Sequence, residues 1–195
     1  TKEETRRLAE EQGFLNARKR DSQDICFVPD GDYAAFIRRW TGKDFPPGDF
    51  VGTGGEIYGR HKGIIHYTVG QRKGLGLSFP QPMFVKELDV GKNQVVLAKA
   101  EELFSQTAVA QDINLISVES IPRPLRVKAK VRYRQQEQPA TVLQTGPDQL
   151  TVTFDTPQRA VTPGQSLVLY DGDTVVGGGK IVGKNTGKGT GLGPL

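Results

Sequence analysis

The sequence has little cysteine, little histidine and no long apolar run. One cysteine, Cys26, in 195 residues cannot form an internal disulfide, which argues against a secreted protein held together by disulfide bonds. Two histidines and one cysteine are too few for a structural zinc site, which needs four clustered nitrogen or sulfur ligands. No apolar run is long enough to span a bilayer, and no charged-then-apolar leader is present. The sequence therefore predicts a cytoplasmic protein with no membrane segment and no metal site.

Acidic residues are missing from one part of the chain. The composition, 36% hydrophobic and 25% charged, is ordinary for a globular protein, and the net charge is only +4. No aspartate or glutamate occurs between Glu119 and Glu137, where six arginines and lysines are found. The position of the positive charge is therefore more informative than its total.

Within this stretch, residues 127–134 read Val-Lys-Ala-Lys-Val-Arg-Tyr-Arg. Alternate residues of a strand face opposite sides, so the pattern predicts two faces. The apolar face would carry Val127, Ala129, Val131 and Tyr133, and the basic face Lys128, Lys130, Arg132 and Arg134. The basic face is interpreted either as a solvated strand surface or as a surface that contacts phosphate groups.

A second basic segment, residues 59–76, is rich in glycine and contains interspersed Arg, Lys, His, Tyr and Gln. Glycines allow a backbone to approach a ligand closely, and these side chains offer phosphate contacts, stacking and hydrogen bonds to RNA bases. The alternative is a glycine-rich hairpin whose basic residues are only solvated.

The order of elements predicts a mainly β protein with an N-terminal α/β remnant, a small central domain and a C-terminal β-barrel. Because the chain starts at Thr1 inside a predicted helix and without an initiator Met, we expect it to be part of a longer protein. The predicted domains are 1–40, the end of a catalytic domain; 41–108, the central domain; 109–185, the barrel; and 186–195, a disordered tail. The predicted elements are helices over 3–12 and 33–40, the second capped by Asp30 or Asp32, and strands over 24–28, 64–69, 84–90, 115–118, 126–134, 140–145, 150–155, 166–170 and 174–182.

Cys26 follows a cluster of cations, Arg18, Lys19 and Arg20. A thiol reacts as the thiolate, and nearby positive charge favours that form if the fold brings it to the sulfur. The residues alone leave two interpretations open, a small apolar group in a core or a reactive thiol whose partner lies elsewhere.

Several motifs occur in a distinctive order: Asp21–Phe27 (Asp-Ser-Gln-Asp-Ile-Cys-Phe), Gly59-x-His61-x-Gly63, Tyr67–Gly76, Arg132-Tyr133-Arg134 and Pro163-Gly164-Gln165. In this order the chain resembles the bacterial-type tRNA-specific 2-thiouridylases from Thr1 to about Val182. The resemblance implies the end of an ATP-pyrophosphatase domain, a central domain and a barrel similar to the second domain of translation elongation factors.

The resemblance also implies the reaction, which is thiolation of the wobble uridine of tRNA. ATP, with Mg²⁺, activates the uridine, and sulfur carried as a persulfide on Cys26 replaces the C2 oxygen. A second family cysteine, absent from this sequence, ends in a disulfide with the first. The ATP-binding loop is also absent, so we expect the isolated chain to bind no cofactor and to be inactive.

The same resemblance places tRNA contacts on Arg132, Tyr133 and Gln165, to which the basic face adds Lys128, Lys130 and Arg134. The expected partners are tRNA and a cysteine desulfurase or sulfur-carrier protein that loads Cys26. One alternative is a non-catalytic RNA-binding barrel module with an incidental cysteine, and another is an interaction domain without a nucleic-acid role.

Overall fold

The computed structural model describes residues 1–18, 28 and 31–183. Cys26, the predicted strand 24–28 apart from Val28, and the predicted tail 186–195 lie outside the described residues. The chain divides into two compact units, Thr1–Phe45 and Pro46–Leu195. Each is considered by itself below.

The first unit contains two helices among its described residues, α1 (Lys2–Glu11) and α2 (Tyr33–Thr41). Thr1 and Glu4 form a capping box at the start of α1, which pairs backbone groups that the first helical turn leaves unbonded. The Asp32 carboxylate accepts a hydrogen bond from the Ala35 N–H at the start of α2, and Gly42 ends that helix with φ +64°. Both helix predictions are confirmed to within a residue or two at either end.

The second unit begins with a four-stranded sheet of β1 (Gly48–Gly52), β2 (Ile57–His61), β3 (Phe84–Asp89) and β4 (Gln94–Ala98), ordered β2-β1-β4-β3. β1 and β4 are parallel, and the other neighbours are antiparallel. The fully buried side chains of this sheet include Phe50, Val85, Val95 and Leu97.

The predicted strand 64–69 is wrong. Residues Ile64–His66 form a 3-10 turn, in which the His66 N–H donates to the Gly63 carbonyl and the Tyr67 N–H to that of Ile64. This turn places Ile64 and Tyr67, three residues apart, in the core together. An extended strand would have sent these two side chains to opposite faces.

Six strands close into a barrel in the order β10-β5-β8-β7-β6-β9. They are β5 (Phe104–Leu115), β6 (Leu125–Lys130), β7 (Gln138–Gly146), β8 (Gln149–Arg159), β9 (Ser166–Asp171) and β10 (Thr174–Gly183). Closure pairs every strand on both sides, so that no sheet edge is exposed. Fully or almost fully buried side chains such as Leu150, Phe154, Leu167 and Ile181 fill the interior. The predicted mainly β fold with a C-terminal barrel is confirmed.

The first barrel strand differs most from its prediction. The sequence predicts a strand over 115–118, but Leu115 is the last residue of β5, which begins at Phe104 after a short 3-10 helix, Ala100–Leu103. The predicted boundary between 108 and 109 therefore falls inside β5. Ala108 and Ala110 are its fully buried residues, and their small side chains give only a weak strand signal in the sequence.

Within the described residues, no helix is long and apolar enough to cross a membrane. The same part of the chain contains no group of three or more His, Cys, Asp or Glu side chains placed to hold a metal ion.

Candidate nucleic-acid interface

The basic segment that follows β6 is a turn rather than a strand. β6 ends at Lys130; Val131 is still buried in the barrel core, and residues 132–134 lie in the turn that follows. The prediction that Tyr133 shares a buried face with Val127 and Ala129 is wrong, because the Tyr133 side chain is 95% exposed. An exposed aromatic ring among cations is suited to stack on a nucleic-acid base.

Two glutamines hold this turn in place. The Gln135 side-chain oxygen accepts a hydrogen bond from the Val131 N–H at 3.2 Å, and its amide nitrogen donates to the Gln158 side chain. Gln158 is itself buried on β8 and donates to the Thr156 carbonyl. The turn that presents Tyr133 is therefore fixed at both of its ends. Neither glutamine was identified from the sequence, because an isolated glutamine gives no pattern that indicates burial.

Arg132 is directed away from the predicted basic face. Its Nη2 donates to the carbonyl oxygen of Arg159 and, at 3.1 Å, to that of Ala160. The side chain therefore fastens the turn to the end of β8. The expected row of Lys128, Lys130, Arg132 and Arg134 on one strand face is wrong, since the strand ends before Arg132.

One open cleft of about 410 Å³ contains most of the predicted basic residues. It is lined by Lys128, Lys130, Tyr133, Arg134, Gln135, Gln136 and Glu137. Lys130 lies 3.2 Å from the Glu137 carboxylate, and its Nζ is 5.0 Å from the centre of the Tyr170 ring. The cleft thus combines three cations, one carboxylate and an exposed aromatic ring. Such a lining suits a phosphate group next to a base.

Carboxylates from other strands reduce the expected charge. Arg126 makes a two-pronged ion pair with Asp155 at 2.8 and 2.7 Å, and the hydrogen bonds from Arg126 lower the pKa of the Asp155 carboxyl. The sequence stretch without acidic residues is therefore partly neutralised in three dimensions. Among the described residues, Lys128 and Arg134 have no carboxylate within 4.0 Å, so their charge is available to an anionic partner.

Gln165 lies at the same end of the barrel but outside the cleft. It directly precedes β9, and its carbonyl accepts a hydrogen bond from the Ile181 N–H at 2.8 Å. The antiparallel pairing of Lys130 with Val168 places the start of β9 beside the turn that follows β6. Its exposed side chain is thus on the same end of the barrel as Arg132 and Tyr133.

The glycine-rich segment also reaches this end of the barrel. The Gly70 N–H donates to the Val85 carbonyl at 2.7 Å, and the Val85 N–H donates to the Gln71 carbonyl at 2.9 Å. A Cβ at Gly70 would lie 3.3 Å from the Cβ of Ala160, the residue whose carbonyl Arg132 contacts. Two basic segments far apart in sequence therefore meet at Ala160.

His61, in the same segment, is a core residue. It is 1% exposed and packs edge-on against the rings of Phe50 and Tyr67. Its Nδ1 accepts a hydrogen bond from the Gly63 N–H, and its Nε2 lies 3.1 Å from the Asn93 carbonyl oxygen. Both ring nitrogens are engaged in holding the fold, so His61 is not available to a ligand.

The environment of Cys26 cannot be compared with its prediction, because Cys26, Lys19 and Arg20 lie outside the described residues. Arg18 is described, and its Nε donates to the Glu10 carboxylate at 2.9 Å. One of the three neighbouring cations is therefore already paired with a carboxylate.

Three family models match the chain in sequence. Residues 1–30 match the tRNA methyl transferase HUP domain, residues 34–99 the tRNA methyl transferase PRC-barrel domain, and residues 105–181 the aminomethyltransferase beta-barrel domain. The similar curated proteins carry a more specific name, tRNA-specific 2-thiouridylase MnmA. The protein of this name from Acetivibrio thermocellus is 53% identical over 181 residues, which is 93% of this chain and 50% of the relative.

The chain belongs to the tRNA-specific 2-thiouridylase family. Other 2-thiouridylases are similar over almost the same part of the chain: that of Clostridioides difficile is 48% identical over 92% of it, and that of Desulfitobacterium hafniense 47% identical over 93%. The chain spans about half the length of these curated relatives, 50% and 52%.

Proposed function

We propose that the chain is part of a sulfurtransferase that 2-thiolates the wobble uridine of tRNA, with ATP and a cysteine persulfide as co-reactants. The observation that supports this most strongly is 53% identity, over 93% of the chain, to a protein named tRNA-specific 2-thiouridylase. In this proposal the chain supplies the persulfide cysteine, Cys26, and a surface that binds the tRNA. The partner that loads Cys26 is a cysteine desulfurase or a sulfur-carrier protein.

The tRNA surface is the end of the barrel described above. Lys128, Lys130 and Arg134 provide positive charge for phosphate groups, and the exposed Tyr133 ring stacks on a base. Arg132 positions the turn through the carbonyls of Arg159 and Ala160, with its remaining guanidinium N–H groups directed at RNA. Gln165 adds an exposed amide at the same end, which can hydrogen-bond to a base or ribose.

Cys26 is the sulfur carrier in this proposal. The outer sulfur of a persulfide is a soft nucleophile near neutral pH, and it attacks C2 of the uridine after ATP has adenylated the C2 oxygen, which leaves with AMP. A second cysteine, absent from this sequence, then attacks the Cys26 sulfur, so that the S–S bond breaks, a disulfide forms and the outer sulfur stays on the uridine. ATP and Mg²⁺ would be held by a part of the protein that this sequence does not include. We therefore expect the isolated chain to form no 2-thiouridine.

We assign the proposed roles to the predicted domains: residues 1–40 are the end of the catalytic domain, 41–108 a central domain and 109–185 the tRNA-binding barrel. Since β5 crosses the last boundary, we place the start of the barrel at Phe104 instead.

Loading of Cys26 can be tested directly, because it is the single thiol in the sequence. The chain is incubated with a cysteine desulfurase and cysteine, and its intact mass is measured before and after treatment with a reductant. We expect an added mass of one sulfur atom that the reductant removes and that Cys26→Ser abolishes. A chain that stays unmodified, or a Cys26→Ser variant that is modified equally, would contradict the role of Cys26 and favour the non-catalytic RNA-binding module.

A further inference from the structure

Residues 68–74, here called the basic loop, have a fixed shape. The Gln71 side-chain oxygen accepts a hydrogen bond from the Thr68 N–H at 3.0 Å, and its amide nitrogen donates to the Lys73 carbonyl at 2.9 Å. Gly70 and Gly74 have φ of +89° and +75°, a conformation that glycine adopts without strain. The sequence analysis includes the glutamine of this segment, Gln71, among side chains that could contact RNA. In the structure its amide closes the loop instead.

The basic loop is also anchored from outside. Its hydrogen bonds to Val85 join it to the start of β3, and Gly70 packs against Ala160 of the barrel. Arg72 follows Gly70 by two residues, so their Cα atoms are at most about 7.6 Å apart. Arg72 and Lys73 are therefore held close to the place where Arg132 fastens the turn that carries Tyr133.

The charge of the basic loop is not neutralised. Arg72 and Lys73 are exposed, and no carboxylate of the described residues lies within 4.0 Å of either. The sequence contains no acidic residue between Glu56 and Glu87. The first cation after Lys73 in the sequence is Lys86, and its ammonium pairs with the Glu102 carboxylate at 3.2 Å. Because the backbone of the loop is already fixed, binding an anion would order only the two cationic side chains and not the loop itself.

We propose that Arg72 and Lys73 contact the phosphate backbone of the same tRNA that the barrel cleft binds, as a second and separate point of attachment. The inference rests on the proposed function and extends it from the barrel to the central sheet. Phosphate is the chemical partner because both exposed side chains are cations, and the Gln71 amide, which could otherwise bond to a base, is engaged within the loop. The loop thus contributes affinity and orientation but no sequence preference.

The experiment measures the affinity of the 195-residue chain for tRNA across a salt titration. The test variant is Arg72→Gln/Lys73→Gln, which removes both charges from exposed side chains. The control, Arg123→Gln/Lys92→Gln, removes the same formal charge at other sites, with the difference that the Lys92 ammonium lies 3.6 Å from the Asp89 carboxylate. Arg123 is exposed at the opposite end of the barrel, next to the start of β6, and Lys92, 73% exposed, lies at the opposite end of β3 from Val85.

We expect the test variant to bind more weakly and to show a salt slope smaller by about 2, one for each lost phosphate contact, while the control stays near wild type. Three results would overturn the inference. If Tyr133→Ala weakens binding but the test variant does not, the basic loop is not an attachment point and the proposed function stands. If test and control variants lose affinity equally, the effect is only one of net charge. If the wild-type chain binds no tRNA at any salt concentration, this inference and the proposed tRNA surface both fail.

Discussion

Arg132 and Tyr133 are adjacent in sequence but have different surroundings. The Arg132 guanidinium is hydrogen-bonded to two backbone carbonyls, whereas the Tyr133 side chain is 95% exposed. The family resemblance assigns both residues the same role, direct contact with tRNA. The structure indicates that Arg132 positions the turn and that Tyr133 and Arg134 are free to meet a ligand.

This difference predicts how two neighbouring arginines respond to substitution. Arg132→Ala removes the hydrogen bonds to the carbonyls of Arg159 and Ala160, although the Ala160 carbonyl keeps the Thr162 hydroxyl as a donor. We expect it to lower the free energy of unfolding by about 1 kcal/mol. Arg134→Ala removes an exposed side chain without a carboxylate partner, and we expect a change within about 0.5 kcal/mol. Denaturant unfolding of both variants measures the difference. Equal effects on stability would show that the hydrogen bonds of Arg132 do not stabilise the turn.

At the scale of single elements, β10 depends on three consecutive glycines. Gly177 has φ of +154° at a register shift in the strand, and a Cβ on Gly178 would overlap the carbonyl oxygen of Leu167 on β9. A Cβ on Gly179 would lie 2.7 Å from the Gln111 carbonyl oxygen on β5. The glycines thus allow β10 to pair closely on both sides and complete the barrel.

Gly178→Ala tests this packing. We expect the variant to lose about 1–3 kcal/mol of stability, because backbone atoms must shift to admit the methyl group. Gly183→Ala on the same strand is the matched control, since a methyl group there would have no atom within 4 Å, and it is expected to be neutral or slightly stabilising. Thermal or denaturant unfolding measures both. A Gly178→Ala variant as stable as the control would contradict the close approach of β10 to β9.

The elements that the sequence predicts well are those with a strong local signal. Asp32 and Gly42 mark the ends of α2, and regular alternation identifies β7 and β9. The failures have local causes. The first half of β5 is missed because its buried residues are small alanines, which give a weak strand signal. The end of β6 is misplaced because the alternation of basic residues continues beyond Lys130, where the strand ends.

Local sequence signals could not predict that the turn after β6 and the basic loop lie close together. Their proximity depends on the pairing of β6 with β9, on the position of Ala160 after β8, and on the contact between Gly70 and Ala160. None of these leaves a pattern within a single window of sequence. The sequence therefore identifies most candidate binding residues but not which of them are joined into one surface.

At the scale of the whole molecule, the second unit brings three separate segments, two of them basic, to one end of a closed barrel. The turn after β6, the segment around Ala160 and Gln165, and the basic loop come from three separate parts of the chain. The barrel supplies the fixed frame, because all six of its strands are paired on both sides. On this basis we propose that tRNA binds at this end of the barrel.

The most direct test is the affinity of the chain for tRNA with Tyr133 truncated. We expect Tyr133→Ala to weaken binding by about 1–3 kcal/mol, or roughly 5- to 150-fold, because a stacked base loses its aromatic partner. Tyr133→Phe should retain the ring and bind nearly as wild type. Ile116→Ala, which truncates a side chain that is 64% exposed at the opposite end of the barrel, should have no effect. Binding by Tyr133→Ala within about twofold of wild type, or an equal loss in Ile116→Ala, would contradict tRNA binding at this end of the barrel.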